Sequence, residues 1–226
     1  MLVKIAGLLS KDQVAQFRRT LEAAPWVDGK VTAGEQSARA KDNLQVPSEA
    51  PEVRELQQTI LSALGTNETF VSAALPMRVF PPLFNRYEAG MSFKAHVDNA
   101  VRFAPGMIRI RTDIASTLFL SEPDEYDGGE LVIEDTYGEQ KVKFEAGDLV
   151  VYPATSLHRV EPITRGARWG AFFWTQSMVR DEGERRTLYD LDRAVQAVRG
   201  ELSDDHHASV ALAGVYHNLL RRWGEM

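Results

Sequence analysis

The sequence predicts an α+β fold built around a jelly roll, and three observations lead there. From Phe70 to about Gln176, apolar residues alternate with period two and are rich in β-branched and aromatic types. The turn signals Asp127-Gly128-Gly129, Tyr137-Gly138-Glu139, Gly147-Asp148 and Arg165-Gly166 punctuate its later part, giving about eight short strands. Helical patterns flank the stretch instead of alternating with its strands. That arrangement argues for a double-sheet jelly roll and against a parallel α/β sheet.

Each element has its own warrant. A short strand opens the chain, and Ser10-Lys11-Asp12-Gln13 then forms a capping box ahead of a helix with Val14, Phe17 and Leu21 on one face. Residues 28–49 are polar and read as a surface loop. A second helix starts at Pro51, carries Val53, Leu56, Ile60 and Leu64 as its stripe, and stops at Gly65. Candidate strands cover residues 70–74, 77–87, 108–120, 130–134, 140–144, 149–152, 158–162 and 169–175, with Pro81-Pro82 bending the second. Beyond Gln176 the strand signal ends. Residues 181–199 form a charged helix with Leu188, Leu191, Val195 and Val198 on one side, and Gly200 and Ser203 separate it from a last helix carrying Val210, Leu212, Val215, Leu219 and Leu220. The expected organisation is residues 1–178 as a jelly-roll domain with N-terminal helices packed on it, and 179–226 as a C-terminal helical appendage. The apolar face of that appendage serves either intramolecular packing or a homo-oligomer.

Composition narrows the function. The 226 residues carry a net charge of −6 and contain no cysteine, which excludes disulfides, Cys-ligated zinc, iron–sulfur clusters and thiol nucleophiles. Lys/Arg runs never exceed a pair, so nucleic acid is not an expected partner. No apolar run approaches the roughly 20 residues that span a bilayer, and the first residues lack a signal-peptide core. No membrane association is expected, and the expected location is cytoplasmic.

With only five histidines in the chain, their placement matters. In extended chain, His96 and Asp98 of His96-Val97-Asp98 point to one face and can meet one metal ion. His158 lies some sixty residues on at the start of a predicted strand, and a jelly roll brings distant strands together. Two His and one carboxylate form the facial triad of non-haem Fe(II) oxygenases, which leaves coordination positions open. A structural zinc site closes its four-coordinate shell instead. Taken singly, His158 also reads as a satisfied strand histidine. Ten residues further, Arg168 begins an apolar strand, where a guanidinium suits the distal carboxylate of a dicarboxylic co-substrate or snorkels to water from a sheet edge. Tyr87, reached through the strand that leads towards His96, is either a core tyrosine or a phenol beside the metal. Residues 99–107 read as a polar lid and 122–127 as the opposite rim. Arg102, Arg109 and Arg111 either favour an anionic substrate or are solvated strand-edge charges.

Together, His96-x-Asp98, His158 and Arg168, with Asn85-Arg86-Tyr87 upstream and Gly128-Gly129-Glu130-Leu131 between, resemble the Fe(II)- and 2-oxoglutarate-dependent dioxygenases of the prolyl 4-hydroxylase superfamily. Within it, the chain is similar to the bacterial PKHD-type hydroxylases associated with iron uptake, along its whole length. The resemblance implies a distorted double-stranded β-helix. It also implies that His96, Asp98 and His158 bind Fe(II), that Arg168 and more loosely Tyr87 bind 2-oxoglutarate, and that L-ascorbate is the reductant. The implied reaction hydroxylates an unidentified small-molecule or peptidyl substrate and releases succinate and CO2. Two other readings compete: a cupin-like metal or small-molecule binding module without turnover, which needs no Arg168, and a metal-dependent hydrolase or isomerase indifferent to O2 and 2-oxoglutarate.

Overall fold

The computed structural model describes residues 1–32 and 40–225. Its centre is a pair of antiparallel sheets. The larger contains, in spatial order, β1 (Val3–Ile5), β14 (Leu149–Pro153), β10 (Ile114–Phe119), β16 (Ile163–Ser177), β6 (Leu83–Glu88), β4 (Leu44–Gln45) and β2 (Val27–Asp28). Two more strands, β5 (Pro76–Val79) and β11 (Tyr126–Gly128), pair with the two ends of the long β16. The smaller sheet runs β13 (Gly138–Val142), β12 (Leu131–Asp135), β15 (His158–Val160), β7 (Ser92–His96), β3 (Lys41–Asp42). Between the sheets lies one core cluster with Tyr87, Phe119, Tyr152 and Trp174 from the large sheet and Leu131, Ile133 and Val160 from the small one. This is the double-stranded β-helix that the strand pattern and the resemblance imply.

The outer face of the large sheet is covered by helices. Here α1 (Lys11–Glu22) starts with both halves of the Ser10/Gln13 capping box formed and buries Val14, Phe17 and Leu21. Next, α2 (Pro51–Thr66) buries Val53, Leu56, Ile60 and Leu64. These side chains join Phe84, Leu118, Leu149, Ala171 and Phe173 of the sheet in a second cluster. Period-two alternation along β16 thus divides its residues between two cores, which is why both of its faces are apolar.

Several expectations change. Residues 70–74 are helical, within α3 (Glu68–Ala74), because the Asn67 side chain accepts from the Phe70 amide at 2.8 Å and caps the turn. The preceding helix therefore runs past Gly65 to Thr66 and ends at Asn67. The single strand expected over 108–120 is broken at Thr112-Asp113, giving β9 (Ile108–Arg111) and β10. The polar stretch 99–107 contains β8 (Val101–Ala104), which forms a separate hairpin with β9 around Pro105-Gly106. The stretch 28–49 is no simple surface loop: outside residues 33–39, which are not among the described residues, it contributes β2, β3, β4 and a 3-10 turn over Gly29–Thr32. Lys41, Asn43 and Gln45 are buried there on alternate positions. Polarity concealed short strands that extend both sheets and whose inward residues are themselves polar.

The C-terminal helices are α4 (Glu182–Leu202), capped by Asp181, and α5 (His207–Trp223). They pack on each other through a small cluster in which Tyr216, Leu219, Leu220 and Trp223 meet Leu188. The pair is tied to the core by Ser72 Oγ donating to Asp192 at 2.6 Å, and by Arg111 pairing with Glu225 at 2.9 Å. Val210 and Val215 of the predicted stripe remain exposed.

Candidate active site

The site begins with a register. Strands β7 and β15 pair so that His96 stands directly opposite His158, with a bulge two residues further on. Cross-strand neighbours share a face, so two residues some sixty apart in sequence bring their rings to 4.3 Å between centroids. Asp98 follows the end of β7, and its Oδ2 lies 3.8 Å from His158 Nε2. One potential ligand atom from each of the three residues falls within 4.8 Å of the others.

Each ring is oriented in the same way. Nδ1 of His96 donates to the Lys94 carbonyl at 2.8 Å, and Nδ1 of His158 donates to the Ser156 carbonyl at 3.0 Å. A carbonyl can only accept, so both Nδ1 atoms carry the hydrogen and both Nε2 atoms keep the lone pair that ligates a metal. Burial, and then the neighbouring His158, push His96 down to about 4, which keeps it neutral at physiological pH. Phe93 stacks on His96 at 3.6 Å, and the Tyr152 ring meets His158 edge-on at 5.3 Å. Asp98 is not in a strand; its loop is held by buried Thr112, which donates from Oγ1 to the Asn99 carbonyl at 2.5 Å and from its amide to the Ala100 carbonyl at 3.0 Å.

All three residues line one cavity between the sheets. Arg168 and Tyr87 line it too, as direct partners in the β16–β6 register. Arg168 is only 2% exposed, lies 5.5 and 5.4 Å from the ring centroids of Tyr87 and Phe119, and its Nε has no hydrogen-bond partner. A buried guanidinium left this way is costly unless an anion joins it. Burial also pushes the Tyr87 phenol up to about 12, so it stays protonated and able to donate.

Sequence reasoning missed part of the wall. The missed residue is Lys41, which lines the cavity from β3 beside Phe172; Arg102, one of the three arginines weighed for an anionic substrate, does line it, from β8 beside Trp174. The alternation Arg168-x-Gly170-x-Phe172-x-Trp174 on one strand carried a signal for the two aromatics. A lone lysine in a polar stretch carried none. Arg109 and Arg111 do not belong to the wall: Arg111 is held by Asp113 at 2.7 Å and by Glu225. The expected rim at 122–127 is instead occupied with the N-terminal helix, through Glu122–Lys11 at 2.6 Å and Glu125–Arg18 at 3.1 Å.

A His/Asp/His donor set with oriented Nε2 lone pairs, in a cavity also lined by a buried arginine, fits Fe(II) and a dicarboxylate. Comparison with known proteins agrees. Residues 82–176 match the model of the 2OG-Fe(II) oxygenase superfamily, and residues 182–225 that of the PKHD-type hydroxylase C-terminal domain. The fold resembles a Pseudomonas putida prolyl-4-hydroxylase, with a TM-score of 0.55 at 20% identity over 78% of this chain and 92% of that one. It also resembles a prolyl hydroxylase from Trichoplax adhaerens solved with a hypoxia inducible factor peptide fragment, with a TM-score of 0.56 at 13% identity over 83% and 86%. Fold and metal centre thus define a 2OG-Fe(II) oxygenase. Over the full length of both chains, this one is 60% identical to a PKHD-type hydroxylase of Methylobacterium nodulans and 61% identical to one of Gluconobacter oxydans. The chain belongs to the PKHD-type hydroxylases, Fe(II)- and 2-oxoglutarate-dependent enzymes.

Proposed function

We propose that this enzyme hydroxylates an acceptor in the cavity between the two sheets, with Arg168 as the anchor of the 2-oxoglutarate distal carboxylate and Tyr87 as its second contact. The observation that carries the assignment is the buried Arg168 guanidinium, whose Nε is unpartnered, on the wall of the cavity that the triad also lines. Bound Fe(II) with 2-oxoglutarate supplies O2 activation, the co-substrate being oxidised to succinate and CO2 while a substrate C–H becomes C–OH. The protein's part is geometric. His96, Asp98 and His158 would hold the metal, the two imidazoles oriented by the Lys94 and Ser156 carbonyls and the loop after Asp98 held by Thr112. Arg168 fixes the co-substrate by paired charge-assisted hydrogen bonds, and Tyr87 donates a phenolic hydrogen from the neighbouring strand. Phe93, Tyr152 and Phe172 give the cavity apolar walls that exclude water.

Further parts of the reading draw their support from the family. They are L-ascorbate as reductant, a small-molecule or peptidyl acceptor and a role in iron uptake; a cytoplasmic location and a division of the chain into residues 1–178 and 179–226 draw theirs from the sequence pattern. The exposed Val210 and Val215 of α5 support a homo-oligomer through the C-terminal helices.

The test needs no acceptor. Fe(II) and then 2-oxoglutarate are added to the protein without oxygen, and the visible charge-transfer band of the chelate is recorded. We expect a band in the parent, none in His96→Ala, and a weaker one in Arg168→Ala. Metal binding without a band would favour the non-catalytic cupin-like module. Succinate release with and without ascorbate tests the reductant, sedimentation the oligomer, fractionation the location, and growth of a deletion strain under iron limitation the pathway.

A further inference from the structure

Among the described residues, four charged side chains besides the histidines line the cavity: Asp98, Arg168, Lys41 and Arg102. Arg168 has its task. Lys41 and Arg102 do not, and they sit together at another part of the wall. The Lys41 ammonium lies 5.4 Å from the Phe172 ring centroid and 5.8 Å from that of Phe93. The Arg102 guanidinium lies 4.0 Å from the Trp174 ring. Phe172 and Trp174 are themselves edge to face at 5.5 Å. The two cations therefore stand over neighbouring rings of one strand, on a shared apolar floor.

Distance separates this pair from the co-substrate's anchor. Arg168, Phe172 and Trp174 share a face of β16, and the six residues from 168 to 174 span roughly 20 Å of strand. A five-carbon diacid is shorter than about two residues of extended chain. Its length is well short of the strand distance from Arg168 to Trp174.

Charge leads to the same place. Fe(II), Asp98, two neutral histidines, dianionic 2-oxoglutarate and Arg168 make an electroneutral set. Lys41 and Arg102 fall outside it. Lys41 is 4% exposed, and burial, then the nearby Arg102, pull its ammonium down to about 8, so at neutral pH a disfavoured charge is still held there. Asp98 is the carboxylate on the cavity wall that favours both charges, and metal ligation engages it.

We propose that Lys41 and Arg102 form an anion-binding subsite that selects an acceptor bearing a carboxylate on an apolar body. The carboxylate would join the partners these side chains already have within the chain, and the body would lie on Phe172 and Trp174. This inference rests on the reading of the triad and Arg168 as the iron and co-substrate site.

Benzoate and benzamide, alike in shape and different in charge, are the probes. Each is titrated calorimetrically into protein loaded with Fe(II) and 2-oxoglutarate without oxygen, and into the metal-free protein. Benzoate is expected to bind about tenfold or more tightly than benzamide, and Lys41→Met and Arg102→Met each to remove that preference. Lys41→Arg should retain it. The chelate band, recorded on the same variants, reports their folding and should show unchanged affinity for 2-oxoglutarate. Equal binding of the two probes, binding of neither at millimolar concentration, or a preference that survives both Met variants would overturn the subsite. If Lys41→Met weakens 2-oxoglutarate binding instead, Lys41 belongs to the co-substrate and the subsite falls while the activity stands. A parent that forms no band sinks the co-substrate reading, and the metal-free titration still decides the anion preference.

Discussion

His96 and His158 are direct partners across β7 and β15, and each anchors its Nδ1 on the carbonyl two residues before it. The metal face is therefore made by sheet register. Replacing either imidazole by Ala removes one of three ligands while the backbone pairing stays. Metal titration should show affinity reduced by more than about 100-fold, beyond the 10–100-fold typical of losing an outer-sphere partner. Retained affinity in both variants would refute the triad.

Thr112 supports Asp98 at one remove. Thr112→Val keeps the shape and the amide bond to Ala100 but loses the hydroxyl donated to the Asn99 carbonyl. The expected effect is about a tenfold loss of metal affinity with the fold intact, read by the same titration alongside circular dichroism. An unchanged affinity would mean that the loop after Asp98 is held by other contacts.

The role proposed for Arg168 concerns a different ligand, 2-oxoglutarate. Losing one partner of a buried, hydrogen-bonded charge pair costs about 2–5 kcal/mol, which is roughly 30- to 5,000-fold in the dissociation constant of 2-oxoglutarate. Arg168→Ala should show that loss in the chelate titration and leave metal affinity near the parent's. A parallel loss of metal would instead point to a structural collapse of the β16–β6 pair.

Buried Lys41 makes stability depend on pH in a stated direction. Its folded-state value is depressed from 10.5 to about 8, so between those limits the unfolded chain binds the proton that the folded chain has lost. Stability should rise with pH across that window. The contribution missing at neutral pH is on the order of 3 kcal/mol. Urea unfolding of the parent and Lys41→Met at pH 7 and pH 10 measures it: the variant should be the more stable at pH 7, and the gap should narrow at pH 10. An equal gap at both values would show that Lys41 does not carry the penalty.

Gly128 tests the turn before β12. It has φ +74, and an added Cβ would stand 2.1 Å from the Pro162 carbonyl oxygen. Gly128→Ala should destabilise by about 1–3 kcal/mol, seen as a lower urea midpoint with an unchanged slope. Parent-like stability would show that the turn relaxes freely.

What the sequence determined by itself is local or compositional. The Ser10/Gln13 cap and the α2 stripe could be read directly, because caps and periodicity involve residues within a turn or two of each other. The donor types of the metal centre were equally legible, since His96, Asp98 and His158 are scarce chemistry in a cysteine-free chain. The helix at 68–74 was not legible, because its apolar residues suit a strand equally well and a single Asn67 side chain decides the outcome. Tertiary structure alone decided the rest. Which residue faces His158, and that Lys41 from a polar stretch stands over Phe172, depend on pairings between strands remote in sequence. A slip of one residue in such a pairing would turn a side chain to the opposite face. Local pattern specifies that a strand forms; only the packed sheets specify its neighbour, and in this enzyme the neighbours make the site.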